Sequence, residues 1–492
     1  MRTPHETEKL RLEARQASER RDTIKALTAA DELLRRDPND VDGMFILGTA
    51  LMTNGHEGTA ALVLNAARCA TKDPEKLGPI WNNLGYALHE YQPAEAYRAF
   101  TESLKYGEAP AFTYDNLCSV CTKLGRHAEA LEWSDKAHGF DVSYNRSFAL
   151  LHLGRWEEGW AAYAKSAGTP QRPRTDRSYG LPRWDGKRPG RVIVHGEQGV
   201  GDEIMFLSML PKDFDGVIET TERTADLFAR SFPNATVHGT LLKSFIEWPI
   251  HDPADWHLEM GGLGEHFGRQ PFRRQAFLKA DRPRQEAWQA WLNGAQRALH
   301  ETGATGGLGG VDTDNRPDRR SIAHVRRTNS TRVGIAWTGG TWSTQRDQRS
   351  IPFHLIEDLI RAHPEVTFVN LEYEDRREEL SDLPQVLNPH WATKKGADLD
   401  DLAALLSSLD LVITATNSTV DLAGALGVPC WALVDAFPQW RYSTASGENE
   451  MWFYESVRTF RQKPADEGKW ARVIGRVSKA LHEMTAAKVA AE

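Results

Sequence analysis

The fold is decided by the stretch Val192-Ile-Val-His-Gly-Glu-Gln-Gly-Val-Gly-Asp-Glu-Ile-Met-Phe206. An apolar strand stops at glycines and a helix follows, which is how an α/β sheet opens a ligand site at the carboxyl edge of its strands. Gly199 and Gly201 form the glycine turn, where a ligand can approach the backbone without meeting a side chain. The stretch therefore predicts a Rossmann-like sheet with a binding site at this turn.

Asp202 distinguishes this turn from one that binds a dinucleotide. In a dinucleotide site the amides at the helix start receive a pyrophosphate, and a carboxylate there would compete for the amides and repel the phosphate. Asp202 is therefore predicted to act on a neutral substrate, as a base that takes a proton from a hydroxyl. The alternative is that it only caps a helix beginning at Glu203. Glu197 and His195 are other candidate bases, although His195 is expected to be buried at the strand end.

Composition limits the classes of protein that the chain can belong to. Its 492 residues are 40% hydrophobic and 26% charged, with a net charge of −8. The length predicts about two to four domains, and the negative charge speaks against a nucleic-acid partner. No apolar run reaches the roughly 18 residues of a membrane span, and the polar start of the chain does not resemble a signal peptide. We expect a cytoplasmic protein.

Residues 1–168 read as amphipathic helices separated by short breaks. Equivalent positions fall at Leu47, Leu84, Leu117 and Ser147, which are 37, 33 and 30 residues apart. Spacings near about 34 residues with paired helices are typical of a tetratricopeptide solenoid. The segment Trp81–Leu88, with Ala96 and Phe100 after it, resembles the pattern of that repeat, with Leu88 in place of its tyrosine.

Beyond the repeats, strands and helices alternate, which predicts two successive parallel sheets. The predicted domains are a solenoid over residues 1–168, a connector over 169–190, an N-terminal Rossmann-like domain over 191–300, a flexible glycine-rich and charged linker over 301–330, and a C-terminal Rossmann-like domain that ends in a helix over 331–492. The seam between the two sheets is the expected ligand cleft.

A series of segments in fixed order supports a family resemblance. They are Leu181–Gly186, Gly196–Asp202, Val333–Trp337, Arg349–Pro352, Asp410–Pro429, Trp440–Tyr442 and Phe453–Gln462. Together they resemble the bacterial glycosyltransferases that follow tetratricopeptide repeats, which are related to heptosyltransferase-type family 9 enzymes and distantly to protein O-GlcNAc transferase. The resemblance implies a GT-B fold, in which two Rossmann-like domains face each other and the second binds most of the nucleotide sugar.

The resemblance also implies roles for individual residues. Asp202 matches the proposed general base of the similar heptosyltransferases. The residues expected to bind the donor or its phosphate are Thr338, Arg346, Arg349, Asn417, Ser418 and Thr419, and those expected to bind the nucleoside or ribose are Glu372 and Asp421. For Asn417–Thr419 the chemistry agrees, because this segment opens a helix and a helix N-terminus attracts phosphate.

Several of these roles have alternatives. The heptosyltransferases have Asp-Thr and then a histidine on this helix, whereas this chain has Asn417-Ser418 and Asp421, which puts the identity of the donor in doubt. Asn417 or Ser418 can be a plain N-cap, and the two arginines can be solvated loop charges. Trp440–Tyr442 can form the floor of a sugar pocket or pack between domains.

The function predicted from these observations is an inverting, metal-independent glycosyltransferase that moves a sugar from a nucleotide-sugar donor to a hydroxyl acceptor. No metal site and no cofactor beyond the nucleotide-sugar substrate are expected. The solenoid groove is expected to hold a protein or glycan acceptor, by analogy a surface or flagellar component, or else to mediate self-association. The main alternative is a non-catalytic adaptor with a degenerate GT-B region. A Rossmann oxidoreductase, suggested by Glu219, is disfavoured by Asp202.

Overall fold

The computed structural model describes residues 4–20, 22–107, 110–139, 141–169, 172, 179–240, 252–268, 275–302, 330–340, 345–383 and 385–491. The chain forms two compact units, Met1–Leu153 and Gly154–Glu492. Most of the predicted linker, residues 303–329, and much of the predicted connector, residues 170–171 and 173–178, lie outside the described residues. The predicted domain boundaries therefore stay predictions.

The first unit is built from helices that pack in consecutive pairs. Its described helices are α1 Pro4–Glu19, α2 Thr23–Arg36, α3 Val41–Thr53, α4 Glu57–Ala70, α5 Pro74–Leu88, α6 Pro93–Ser103, α7 Ala111–Lys123, α8 His127–Asp135 and α9 Ser143–His152. These are the paired helices of the predicted solenoid. Helix α1 was not predicted, because charged residues dominate its sequence and obscure its apolar face.

Helix α5 begins at Pro74, ahead of the Trp81–Leu88 segment that carries the repeat pattern. The Asp73 carboxylate caps it by accepting a hydrogen bond from the Glu75 N–H at 3.0 Å. Pro74 occupies the first turn of the helix. A backbone N–H in this turn has no carbonyl partner within the helix, so proline, which lacks the N–H, costs no hydrogen bond there. The Asp-Pro pair is thus a helix start, and Pro79 lies within the helix.

A glycine on the first helix of two successive pairs allows the second helix to approach closely. A Cβ added to Gly48 would lie 2.6 Å from Cγ of Leu64, and one added to Gly85 would lie 2.7 Å from the Phe100 ring. Both distances are shorter than real Cβ contacts, so each position needs glycine. This packing explains the Leu-Gly and later Phe positions of the repeat.

We expect Gly85→Ala to lower the free energy of unfolding of the first unit by about 1–3 kcal/mol, because overpacking forces Phe100 out of place. The matched control is Gly58→Ala in α4, where no described atom lies within 4 Å of the added Cβ. Alanine there is expected to stabilise the helix by about 0.5–1 kcal/mol. Urea unfolding followed by circular dichroism measures both, and equal effects of the two changes would contradict this account.

The second unit begins with helix α10 and contains a first sheet of four parallel strands. The strands are β1 Val192–His195, β2 Val217–Thr221, β3 Thr236–Thr240 and β4 Trp256–Glu259, in the order β3-β2-β1-β4. The helices are α10 Trp156–Lys165, α11 Val200–Leu207, α12 Glu222–Ser231, α13 Leu263–Phe267 and α14 Arg282–Thr302. Strand β3 was not predicted, because it is an edge strand without buried residues.

A second sheet of six parallel strands follows in the same unit. The strands are β5 Thr331–Ala336, β6 Val366–Asn370, β7 Val386–Leu387, β8 Leu411–Ala415, β9 Cys430–Val434 and β10 Val457–Arg461, in the order β10-β9-β8-β5-β6-β7. The helices are α15 Arg346–Arg349, α16 Phe353–Ala362, α17 His390–Thr393, α18 Leu399–Leu406, α19 Ser418–Leu426 and α20 Ala471–Ala491. Apolar side chains of the strands and of α16 and α20 form its core.

Each sheet reverses its strand order once. In the first sheet the chain crosses from β3 to β4 on the other side of β1, and in the second it crosses from β7 to β8 on the other side of β5. Such switch points are where open α/β sheets bind ligands, beyond the carboxyl ends of the strands. The fold class is as predicted, a helical solenoid followed by a pair of Rossmann-like sheets.

Candidate functional site

Asp202 lies in the first turn of α11, directly after the switch point at β1. The helix begins at Val200 and not at the predicted Glu203, so Asp202 is inside the helix and Gly199 is the N-cap. The Asp202 carboxylate accepts a hydrogen bond from the Gly199 N–H at 3.2 Å. It therefore caps the helix from within, and its side chain remains 28% exposed.

The N-terminal ends of α11 and α19 lie against each other, which brings the two sheets' switch points together. A Cβ added to Gly201 would lie 2.8 Å from Oδ2 of Asp421 and 3.4 Å from Cα of Ser418. Glycine at position 201 is therefore required by the second sheet's helix, in addition to the predicted access for a ligand. Of the predicted site residues, this contact brings Gly201, Asp202, Ser418 and Asp421 together.

Arg441 joins the two acids across this contact. One guanidinium nitrogen, Nη2, donates to Oδ1 of Asp202, and the other, Nη1, lies 3.4 Å from Oδ2 of Asp421. The side chains of Arg441 and Asp421 are only 9% and 3% exposed. Burial lowers the pKa of Arg441, but the two carboxylates outweigh it, so that the pKa lies above its ordinary value. Arg441 is charged at any physiological pH.

Asp421 is a titratable group of the site near neutral pH. Burial raises its pKa from 3.8 to about 7, with Asp202 acting in the same direction and with Arg441 and the Tyr454 hydroxyl acting against it. Because the pKa in the folded state is the higher one, protonation of Asp421 favours folding. That contribution is complete below about pH 4 and is lost as the pH rises through about 7.

We therefore expect Asp421→Asn to gain stability relative to the wild type as the pH rises from about 4 to 7. The gain is on the order of 1 kcal/mol per pH unit, because in this pH range only the wild type releases a proton when it unfolds. Urea unfolding at several pH values measures it, with Asp226→Asn on the exposed face of α12 as the control. A difference between Asp421→Asn and wild type that does not vary with pH would contradict the raised pKa.

The predicted phosphate turn is at the second switch point. Asn417 caps α19 by accepting from the Thr419 N–H at 2.9 Å, and its side-chain amide donates to the Thr338 carbonyl at 3.0 Å. Ser418 is exposed and Thr419 is buried. The N-cap alternative for Asn417 is therefore present in the structure, and phosphate binding by Asn417, Ser418 and Thr419 stays a prediction.

Glu372 already has protein partners. Its carboxylate is 1% exposed and accepts from the N–H of Trp337 at 2.6 Å, the N–H of Thr338 at 2.7 Å and the Thr338 hydroxyl at 2.5 Å. Arg376 donates to the same hydroxyl at 3.0 Å. Glu372 thus fixes the turn after β5, and its predicted contact with ribose, like that of Thr338 with phosphate, stays a prediction.

The two predicted arginines have different surroundings. Arg349 is buried and donates to the Thr416 carbonyl at 2.9 Å, and burial lowers its pKa while Asp435 opposes that change. Arg346 pairs with Glu374 at 2.7 Å and is 20% exposed. Neither arginine is a fully solvated loop charge. Arg349 lies at the same edge as the phosphate turn, because Thr416 directly precedes Asn417.

The sequence analysis did not identify Asp435, and it named Arg441 within the Trp440–Tyr442 segment without predicting its contact with Asp202 and Asp421. Asp435 follows β9 directly, and burial raises its pKa to about 6 while Arg349 opposes that change. An acid immediately after a buried strand was the available signal. The bridging role of Arg441 had no local signal, because it depends on a residue 239 positions away.

The other candidate bases near the first switch point are buried. Glu197 pairs with Arg172 and accepts from the Gly261 N–H at 3.0 Å, and burial raises its pKa although Arg172 opposes that. His195 is fully buried, as expected, with its Nε2 3.4 Å from Nδ1 of His257. Of these three candidate bases, Asp202 alone is substantially exposed.

The residues that the structure describes contain neither a candidate metal site nor a candidate membrane-spanning helix. No group of three or more histidine, cysteine, aspartate or glutamate side chains in them is placed to hold a metal ion. None of their helices has the length and apolarity needed to cross a membrane.

The chain has relatives among known proteins, although no family model matches it. It is 31% identical over 486 residues to Protein FlbA of Caulobacter vibrioides, a match that covers 91% of this chain and 74% of that protein. It is similar to the structure of E. coli ADP-heptose lps heptosyltransferase II, at 11% identity over 61% of this chain and 99% of that one, with a TM-score of 0.39. A Thermobaculum terrenum O-GlcNAc transferase mutant is 14% identical, with coverages of 100% and 94% and a TM-score of 0.32. At these TM-scores neither structure decides the activity of this chain.

Proposed function

The chain belongs to the family of Protein FlbA from Caulobacter vibrioides, and we propose that its second unit is an inverting, metal-independent glycosyltransferase. The observation that supports this most is the position of Asp202. A partly exposed carboxylate at the first switch point lies against the helix that follows the second switch point. A base for one substrate is thus next to a helix N-terminus suited to the phosphate of another.

In the proposed reaction Asp202 takes the proton of an acceptor hydroxyl as the hydroxyl oxygen attacks the anomeric carbon of the donor. The bond from that carbon to the donor's phosphate oxygen breaks, and its electron pair leaves with the nucleotide. A single displacement inverts the anomeric configuration. A carboxylate has about four lone-pair positions, so Asp202 can take this proton while it still accepts the hydrogen bond from the Gly199 N–H.

We propose that the leaving phosphate is stabilised at the N-terminus of α19. Negative charge on the phosphate grows as the sugar bond breaks, and fixed donors that face this charge lower the barrier. The exposed Ser418 and the N-terminal end of α19 face the contact with α11. Arg349 and Arg346 are the proposed cations of this site, and the nucleoside is proposed to extend toward Glu372 and Asp421.

We also propose that a protein or glycan carries the acceptor hydroxyl and binds to the solenoid. A pocket of about 860 Å³ in the first unit is lined by apolar and charged side chains of α4, α5 and α6, among them Leu62, Trp81 and Arg98. Its volume is within the range of about 300–1,000 Å³ for ligand clefts. Self-association through the repeats is the competing proposal.

A structure determined with UDP, GDP or ADP tests where the donor binds. We expect the phosphate at Asn417–Thr419 and the nucleoside in the cleft between the two sheets. A nucleotide bound elsewhere would contradict the proposal.

One observation favours a second candidate, a non-catalytic adaptor. Arg441 engages both Asp202 and Asp421, and Thr338 hydrogen-bonds to both Glu372 and Asn417, so these predicted site residues already have protein partners. An adaptor would bind a protein partner through the solenoid and would bind no nucleotide. Nucleotide affinity therefore separates the two candidates.

A further inference from the structure

Arg441 lies in a closely packed turn, and its guanidinium contacts both Asp202 and Asp421. The turn Trp440–Tyr442 follows β9 and is buried. Trp440 packs edge-on against Trp160 of α10, with ring centroids 5.4 Å apart, and against Phe453, with ring centroids 5.9 Å apart. These contacts pack the turn against α10 and Phe453, and rotation of the Arg441 side chain is enough to change its partners.

The guanidinium has capacity for another anion. Its contact with Asp421 is long, at 3.4 Å, and its Nε has no hydrogen-bond acceptor among the described residues although the residue is more than nine-tenths buried. An arginine offers five N–H donors in a planar fork that matches a carboxylate or a phosphate. The N-terminal ends of α11 and α19, which also favour an anion, meet beside it.

We propose that Arg441 exchanges partners on donor binding, releasing the Asp202 carboxylate and binding a phosphate oxygen of the nucleotide-sugar donor. This inference rests on the proposed function, because it requires a phosphate-bearing donor in the cleft. Asp202 and the phosphate compete for one cation. Donor binding thus frees the Asp202 carboxylate for the acceptor hydroxyl only once the leaving group is in place.

If this exchange occurs, substitutions of Arg441 and of Asp202 should have opposite effects on nucleotide affinity. Loss of the cation removes charge-assisted hydrogen bonds to the phosphate, so Arg441→Met weakens nucleotide binding about 10- to 100-fold. Loss of the competing carboxylate releases Arg441 from a partly exposed ion pair, so Asp202→Asn tightens nucleotide binding about fivefold. In a purely structural role of Arg441, both changes would loosen the contact between α11 and α19 and act in the same direction.

Isothermal titration calorimetry on the full chain tests the exchange, with UDP, GDP, ADP and CMP as probes at one salt concentration. The proteins are the wild type, Arg441→Met, Asp202→Asn and the double variant. We expect Asp202→Asn to have no further effect in the Arg441→Met background. Arg472→Met, at an exposed position of α20, is the matched control and should bind as the wild type does. If Arg441→Met does not fold, Arg441→Lys, which keeps the charge but loses the fork, is expected to bind more weakly than the wild type.

The possible results separate this inference from the proposed function. Wild-type affinity in both Arg441 variants, weaker binding by Asp202→Asn, or an equal effect of Asp202→Asn in both backgrounds would overturn the exchange while leaving a nucleotide site. Binding of none of the probes to the wild type would overturn the proposed function and the exchange with it.

Discussion

Asp202→Asn is expected to lower the rate of sugar transfer by about 10²–10⁴-fold, which is the usual cost of losing a positioned base. Asparagine has nearly the same size as aspartate and can also cap a helix, so α11 should form as before. It cannot take a proton from a hydroxyl at neutral pH. Donor binding should be retained, so the loss should be in turnover and not in affinity.

The measurement is a steady-state assay of transfer, or of donor hydrolysis where no acceptor is known. Asp226→Asn, the same chemical change at an exposed position of α12, is the matched control and should have wild-type turnover. Because Asp202 also contacts Arg441, circular dichroism must first show that the variant is folded. Wild-type turnover in a folded Asp202→Asn protein would limit Asp202 to its hydrogen bonds with Gly199 and Arg441.

Arg172→Met is expected to destabilise the second unit by about 3–5 kcal/mol, because it leaves the Glu197 carboxylate buried without its cation. The two side chains are 0% and 1% exposed, and Nη2 of Arg172 lies 2.5 Å from Oε2 of Glu197. Nη1 of Arg172 also donates to the Ser166 hydroxyl at 3.1 Å. This pair fixes the chain at the glycine turn that leads to Asp202.

A double variant serves as the control for the ion pair. Arg172→Met combined with Glu197→Leu replaces both charges with apolar groups, which is often neutral or stabilising. We expect it to recover much of the lost stability, short of the wild type because the Gly261 N–H loses its acceptor. Guanidinium unfolding followed by tryptophan fluorescence measures the series. Single and double variants of equal stability would show that the ion pair is not the source of the effect.

Elements with a strong apolar pattern were predicted well. The apolar strand predicted before the glycine turn is present as β1, and all four of its residues are buried. Strand β3 and helix α1 were missed because neither shows such a pattern. The start of α11 was predicted three residues late, since glycines are poor helix formers and Gly199-Val-Gly201 read as a turn.

The individual polar residues of the site were predicted better than the contacts between them. Positions after strands identified Asp202, Glu372 and Asn417 as polar groups at the carboxyl edges. Sequence spacing could not show that the Glu372 carboxylate already accepts hydrogen bonds from the backbone N–H groups of Trp337 and Thr338. It also could not pair Asp202 with Arg441, because that contact forms only when α11 and α19 pack together.

The most direct test of the central claim is incubation of the purified full chain with UDP-, GDP-, ADP- and CMP-sugars. Mass spectrometry detects the released nucleotide, and nuclear magnetic resonance gives the anomeric configuration of the sugar. We predict that at least one donor is cleaved with inversion, that EDTA does not change the rate, and that Asp202→Asn slows the reaction by about 10²–10⁴-fold. Cleavage with retention, a requirement for metal, or no cleavage of any donor would contradict an inverting, metal-independent glycosyltransferase.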